Sequence, residues 1–66
     1  MTVLTAYEMD AGRGDKYWEI YDNEFPYDPP VVVIDESEFG DYISQLLTGP
    51  YVEDIIINTY ESWENM

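Results

Sequence analysis

The chain has 66 residues and a formal net charge of -13, because fifteen aspartates and glutamates are balanced by only two basic residues, Arg13 and Lys16. This length allows one domain, residues 1–66, and the lack of cysteine and histidine excludes disulfides, thiol or imidazole catalysis and the usual zinc sites. The charge disfavours direct binding to nucleic acid or to a membrane, and we expect neither a metal nor a cofactor.

The first part of the chain predicts a β-hairpin. Residues 2–9 and 16–21 are rich in β-branched and aromatic side chains, which favour strands. The segment between them, residues 10–15, has two glycines flanked by aspartates and is typical of a turn. Alternation along the strands places one set of side chains away from the core. We expect this set to be Val3, Thr5, Tyr7, Tyr17, Glu19 and Tyr21.

A proline-rich connection and a short apolar run follow the hairpin. Three prolines lie within residues 22–30, and they exclude a central strand there because proline cannot donate a ladder hydrogen bond. The run Val31-Val32-Val33-Ile34 then predicts a short strand that is buried on both faces.

The clearest prediction is a helix that begins after Asp35. Asp35 is a favourable N-cap, and Glu38 stands three residues later, in the position of a capping box. Apolar residues at helical spacing form one stripe, which consists of Phe39, Tyr42, Ile43, Leu46 and Leu47. Gly49 and Pro50 supply a stop signal. The outward side of this helix should be acidic, with Glu36, Glu38 and Asp41.

The last predicted element is a strand over residues 55–60, and residues 61–66 either extend it or fray. The order β-β-β-α-β indicates an α+β fold, with a small antiparallel or mixed sheet of about four strands and one helix packed on one face. We expect the core to consist of Leu4, Ala6, Trp18, Ile20, Val32, Ile34, Phe39, Ile43, Leu46, Leu47, Ile55 and Ile57.

The net charge is larger than solubility requires. A net charge magnitude of about 2–8 suffices for a small domain, and further charge adds self-repulsion. A compact chain of this length has a diameter of about 28 Å, and duplex DNA carries about 16 phosphates over that distance. The chain therefore has a charge density of the same order as a DNA segment of its own size.

In size and composition the chain resembles the small DNA-mimic inhibitors, a class that includes phage-encoded inhibitors of uracil-DNA glycosylase, anti-restriction proteins and some anti-CRISPR proteins. The resemblance spans the whole chain but involves no motif, so it transfers no functional residues. It implies a stoichiometric inhibitor that occupies the basic groove of a DNA-binding protein. Without cysteine or a signal-peptide start, we expect a cytoplasmic location, in the host cell if the protein is phage-encoded.

We expect the contacts with this partner to come from two acidic surfaces. Carboxylates alone bind without specificity, and tyrosine and tryptophan are the residues that dominate interface energetics. The first predicted surface is the helix side, with Glu36, Glu38 and Asp41. The second is a strand-and-loop set, with Glu19, Asp22, Glu24 and Asp28 and with Tyr17 and Tyr21 as anchors.

Other functions stay open on the sequence. The main alternative is an acidic adaptor or antitoxin-like module for a basic partner unrelated to DNA. An acidic surface that serves solubility alone and a subunit stable only as an oligomer are further options, so we expect a monomer or a small homo-oligomer.

Three local motifs are better explained by structure than by chemistry. Arg13-Gly14-Asp15 spells the integrin-recognition tripeptide but also makes an ordinary turn. The acids of residues 22–28 could gather calcium but lack the EF-hand pattern. Adjacent acid pairs at 35–36 and 53–54 could act as acid and base, but a domain this small should not form a pocket of the usual size, roughly 300–1,000 Å³. We therefore expect no enzyme activity.

Overall fold

The computed structural model describes residues 2–64. Its elements in chain order are β1 (Thr2–Gly12), β2 (Asp15–Asp22), β3 (Val32–Asp35), α1 (Glu36–Thr48), β4 (Val52–Asn58) and α2 (Tyr60–Glu64). This order confirms the predicted α+β fold with its β-β-β-α-β arrangement. No helix within the described residues is long and apolar enough to cross a membrane.

The sheet is mixed, with the strand order β3-β2-β1-β4. β2 pairs antiparallel with both β1 and β3, whereas β4 pairs parallel with β1. The parallel pair arises because α1 carries the chain across the sheet from one edge strand to the other, which a short hairpin loop cannot do.

The hairpin between β1 and β2 turns at Arg13 and Gly14. Arg13 has φ 55° and Gly14 has φ 81°, so both loop residues occupy the left-handed region that two-residue hairpin turns require. A register shift between Asp10 and Gly12 marks a bulge just before this turn. The Asp10 carboxylate accepts a hydrogen bond from the Gly12 amide at 2.8 Å, which holds the bulged segment.

The core lies between α1 and one face of the sheet. Trp18 stacks on Phe39 of α1, with ring centroids 3.8 Å apart and planes within 6° of each other. The predicted core is correct for six buried residues, which are Leu4, Ala6, Trp18, Ile20, Ile43 and Ile55. Four further predicted residues are partly buried against this cluster, namely Val32, Ile34, Phe39 and Leu46.

Two core predictions are wrong. Leu47 is 49% exposed and Ile57 is 51% exposed. Leu47 lies at the end of the helical stripe, and Ile57 lies on β4, an edge strand where the sheet has no further neighbour. The expectation that residues 31–34 are buried on both faces is also wrong. β3 is the other edge strand, and Val33 is 56% exposed.

Several ends of helices and strands differ from prediction. β1 extends to Gly12 and β2 begins at Asp15, both within the predicted turn of residues 10–15, and β4 ends at Asn58. Asp35 is the N-cap residue of α1, but its side chain makes no capping hydrogen bond. Asp35 also ends β3, where it pairs with Tyr17. β4 begins at Val52, three residues before the predicted strand, and residues 60–64 form α2. The part of the tail prediction that concerns residues 65–66 lies outside the described residues.

Candidate functional site

α1 covers one face of the sheet, and the tyrosines that sequence alternation placed away from the core lie on the opposite face. We call this opposite face the outer face. The strand registers assign to it Val3, Thr5, Tyr7, Met9, Tyr17, Glu19, Tyr21, Val33, Asp35, Asp54, Ile56 and Asn58. Its centre is aromatic and apolar, and it carries few charges although the chain as a whole is strongly acidic.

Tyr7 and Tyr21 form the centre of the outer face. Their rings meet edge to face, with centroids 5.8 Å apart and planes at 77°. The Tyr21 hydroxyl donates a hydrogen bond to the Glu19 carboxylate at 3.2 Å. Burial, followed by the charge of Glu19, raises the pKa of Tyr21. Tyr21 therefore stays protonated and keeps its hydroxyl directed at Glu19.

A cavity of about 330 Å³ opens on the outer face, and we call it the sheet-face cavity. Its lining residues are Thr5, Tyr7, Met9, Glu19, Tyr21, Asp22, Asn23, Pro26 and Trp63. The walls are mainly aromatic and apolar, while Glu19 and Asp22 supply carboxylates. At its floor, the buried Thr5 hydroxyl donates a hydrogen bond to the Asn23 side-chain oxygen at 3.1 Å.

The loop after β2 forms one margin of this cavity. The Asp22 carboxylate accepts a hydrogen bond from the Glu24 amide at 2.9 Å, and the Asn23 amide donates to the Val3 carbonyl at 2.9 Å. These bonds hold the start of the loop against β1. Glu24 and Asp28 are exposed, and Tyr27 between them is 99% exposed. Within residues 2–64 no group of three or more ligand-type side chains could hold a metal ion.

α2 forms the opposite margin. The Trp63 indole N–H donates to the Glu8 carbonyl at 2.7 Å, and the Tyr60 amide donates to the Glu8 carboxylate at 3.0 Å. The Lys16 ammonium lies 5.7 Å from the centre of the Tyr60 ring. A five-residue helix is unstable by itself, so these contacts with β1 and β2 hold Trp63 in the cavity wall.

Glu8 and Glu36 form a carboxyl pair on the face covered by α1. Their shared hydrogen bond lowers the pKa of Glu8 and raises the pKa of Glu36. The Trp18 indole N–H lowers the pKa of Glu36 and so offsets part of this increase. This buried N–H makes no hydrogen bond with any described residue.

A second concavity of about 740 Å³ lies near the hairpin turn and the start of α1. Its lining includes Lys16, Tyr17, Asp35 and Glu36. The expectation that so small a domain forms no pocket of the usual size is therefore wrong. The sheet has a face without a packed main helix, and loops and α2 raise walls around it.

The structure gathers part of the predicted site and separates the rest. Glu19, Tyr21 and Asp22 line the sheet-face cavity, whereas Tyr17 and Glu36 line the second concavity. Glu24 and Asp28 lie in the loop after β2, at the margin of the sheet-face cavity. The remaining two predicted residues, Glu38 and Asp41, are exposed on α1, on the other side of the sheet.

Sequence reasoning missed several residues of the sheet-face cavity. The alternation of β1 placed Thr5 and Tyr7 on the correct face, and the same alternation extended by two residues would have found Met9. No local pattern indicates Asn23, Pro26 or Trp63, because they reach the cavity through the loop after β2 and through α2.

Comparison with protein-family models, with curated protein sequences and with solved structures finds no match to this chain.

Proposed function

We propose that this protein is an acidic DNA mimic that binds the basic groove of a DNA-binding enzyme and inhibits it stoichiometrically. The observation that carries this proposal is the outer face, where tyrosines are accessible beside carboxylates that the two bases of the chain cannot neutralise. Specific interfaces combine a core of aromatic anchors with a polar rim, and this face offers both.

The distribution of charge supports the same function. The Cα atoms extend over 36 × 24 × 19 Å, so thirteen net charges along the longest axis give about one per 2.8 Å. Duplex DNA carries about one per 1.7 Å. Both bases lie at the hairpin turn, whereas the loop at the other end of β2 contains Glu24 and Asp28 and no base. This acidic end is the one that we expect to enter a basic groove.

Complementary charge should steer rapid association, and salt should slow it. The role is one of occupancy, without a chemical step, and the site of action is the cytoplasm, that of the host cell if the protein is phage-encoded. The partner is a basic DNA-binding protein, and the chain itself binds neither nucleic acid nor membrane.

The experiment that tests the proposal is affinity capture from a bacterial lysate, with the bound protein challenged by duplex DNA. We expect the chain to capture one DNA-binding protein in stoichiometric amount. Duplex DNA should release this protein, and a charge-matched acidic peptide used as control bait should not capture it. The double variant Glu24→Lys/Asp28→Lys should lose this capture. Glu38→Lys/Asp41→Lys is the matched control, because it exchanges the same residue types on exposed positions of α1 and should retain capture.

Each other outcome assigns a different function. A partner that DNA does not displace would indicate the adaptor or antitoxin-like module. The same basic proteins on the protein and on the control peptide would leave solubility as the only role of the charge. Equal loss of capture by both double variants would contradict our assignment of partner binding to the outer face instead of to α1.

A further inference from the structure

We propose that the sheet-face cavity is a socket for one arginine side chain of the basic partner. This assignment rests on the proposed function, since it names the group of the partner that the outer face would hold. It also concerns a site that can be tested without the partner.

The walls of the cavity suit a planar cation. Tyr7, Tyr21 and Trp63 line it, and aromatic faces attract cations through the ring quadrupole. Tyr7 and Tyr21 are fixed relative to each other by their edge-to-face contact. Trp63 is fixed by the 2.7 Å hydrogen bond from its indole N–H to the Glu8 carbonyl. An incoming side chain would therefore meet walls that are already ordered.

The cavity also provides an acceptor for a cation. Glu19 is only partly exposed, and one of its oxygens accepts the Tyr21 hydroxyl at 3.2 Å. A carboxylate has about four acceptor positions, so this bond leaves capacity for a second donor. The neighbouring Asp22 carboxylate, at the cavity margin, uses one oxygen for the Glu24 amide. The nearest base along β2, Lys16, lies over the Tyr60 ring instead.

Arginine matches this combination better than lysine or an aliphatic residue. Its guanidinium stacks on aromatic rings, donates in a planar fork to a carboxylate and is more weakly hydrated than an ammonium group. Lysine is a strongly hydrated point charge, and its transfer into an aromatic cavity costs more. An aliphatic side chain would cover the carboxylates of Glu19 and Asp22 without supplying a positive charge, which is unfavourable.

A titration of the full chain with short peptides tests this assignment. The probes are N-acetyl-Gly-Arg-Gly-amide and the same peptide with citrulline, lysine or leucine in place of arginine. The readout is the NMR signal of the Trp63 indole N–H, which lies in the cavity wall. We expect the arginine peptide to bind several-fold more tightly than the other three.

Two charge-neutralising variants separate a specific contact from general attraction. Glu19→Gln should weaken binding of the arginine peptide about tenfold, because it removes a charge-assisted hydrogen bond. Glu53→Gln removes the same charge from an exposed position on β4 and should leave binding nearly unchanged. Thermal melting of both variants verifies that they remain folded.

Two results would overturn the arginine socket: citrulline or leucine peptides that bind as tightly as arginine, or equal weakening by both variants. Since no DNA-binding protein is present in the titration, its failure leaves the outcome of lysate capture unaffected. Likewise, failure to capture a DNA-binding protein leaves selective peptide binding intact, so the two proposals fail separately.

Discussion

Glu8 connects more elements of this fold than its position in an ordinary strand suggests. Its carbonyl accepts the Trp63 indole N–H, and its carboxylate accepts the Tyr60 amide. The neighbouring Glu36 side chain also lowers the pKa of this carboxylate. One residue thus links β1 to α2, and its protonation equilibrium is tied to that of a second acid, Glu36.

The sign of the pH dependence follows from the two pKa shifts. The pKa of Glu36 is raised above 4.5, so its contribution to stability is full below that value and is lost as pH rises through the folded-state pKa. The pKa of Glu8 is lowered from 4.5, so its contribution is present above that value and is lost as pH falls. Once Glu36 ionises it can no longer donate a hydrogen bond, so only the Tyr60 amide and the charge of Lys16 still favour the Glu8 carboxylate, and the two carboxylates repel each other.

Replacement of Glu36 by glutamine should therefore stabilise the fold at neutral pH. Glutamine keeps a neutral hydrogen-bond donor beside Glu8 at every pH. Glu38→Gln is the matched control, because it removes the same charge from the same first turn of α1. We expect a higher Tm for Glu36→Gln than for Glu38→Gln at pH 7, with the difference shrinking towards pH 4. Equal Tm values throughout would contradict the carboxyl pair.

At the scale of the elements, α1 contains a glycine that nothing in its surroundings requires. Gly40 lies inside the helix, and a Cβ added there would meet no atom within 4 Å. Gly14 likewise has open space around it, but its φ is +81° because it forms the hairpin turn. Space alone therefore does not decide which glycine can be replaced, and backbone conformation does.

Gly40→Ala should stabilise the protein by about 0.5–1 kcal/mol, because alanine loses less backbone entropy in a helix. In a domain of this size, a change of 1 kcal/mol shifts Tm by roughly 4–8 °C. Gly14→Ala should lower Tm, since alanine disfavours the left-handed region. Thermal melting followed by circular dichroism measures both effects. A loss of stability on Gly40→Ala would indicate that α1 depends on a flexible backbone at this position.

Over the whole molecule, the dominant quantity is a net charge of -13 on a body whose longest extent is 36 Å. The Debye length falls from about 30 Å at 0.01 M salt to about 10 Å at 0.1 M. At low salt, most carboxylates therefore repel one another across the entire molecule, and this repulsion opposes folding.

Salt should consequently stabilise the isolated protein while it weakens partner binding. We expect Tm to rise steadily from about 0.01 M to about 0.3 M sodium chloride as screening increases. The variant Glu24→Gln/Asp28→Asn should show a smaller rise, because it carries two fewer charges in an exposed loop. A Tm independent of salt would contradict charge repulsion as a significant destabilising term.

The oligomeric state can be measured in the same salt series. β4 is an edge strand on which Ile56 and Ile57 are about half exposed, and exposed edge strands can pair with other chains. Glu53 and Asp54 on the same strand oppose such pairing. Sedimentation at several protein concentrations tests the prediction of a monomer or small homo-oligomer, and a monomer throughout would reject a fold that depends on oligomerisation.

Local patterns in the sequence were sufficient to predict α1, the β1–β2 hairpin and most of the core. The helix has an apolar stripe and a Gly-Pro stop, and the hairpin has a glycine-rich turn, so each signal lies within a few residues of the structure that it forms. The same alternation placed Tyr7, Tyr17 and Tyr21 on one face. The excess of acidic residues, which underlies the proposed function, is a property of composition and needs no structure.

The sequence by itself determined β1 to β4 and α1 in outline, and how much charge the fold carries. Only the tertiary structure decided the parallel pairing of β4 with β1, the position of α2 and the walls of the sheet-face cavity. The contacts that hold α2 join Glu8 to Tyr60 and to Trp63, which are separated from Glu8 by 52 and 55 positions in the sequence. Contacts over such separations leave no periodic pattern in a local stretch of sequence. They form because folding brings the end of β4 beside Glu8, where the backbone and carboxylate of Glu8 satisfy the amide and indole N–H groups of α2.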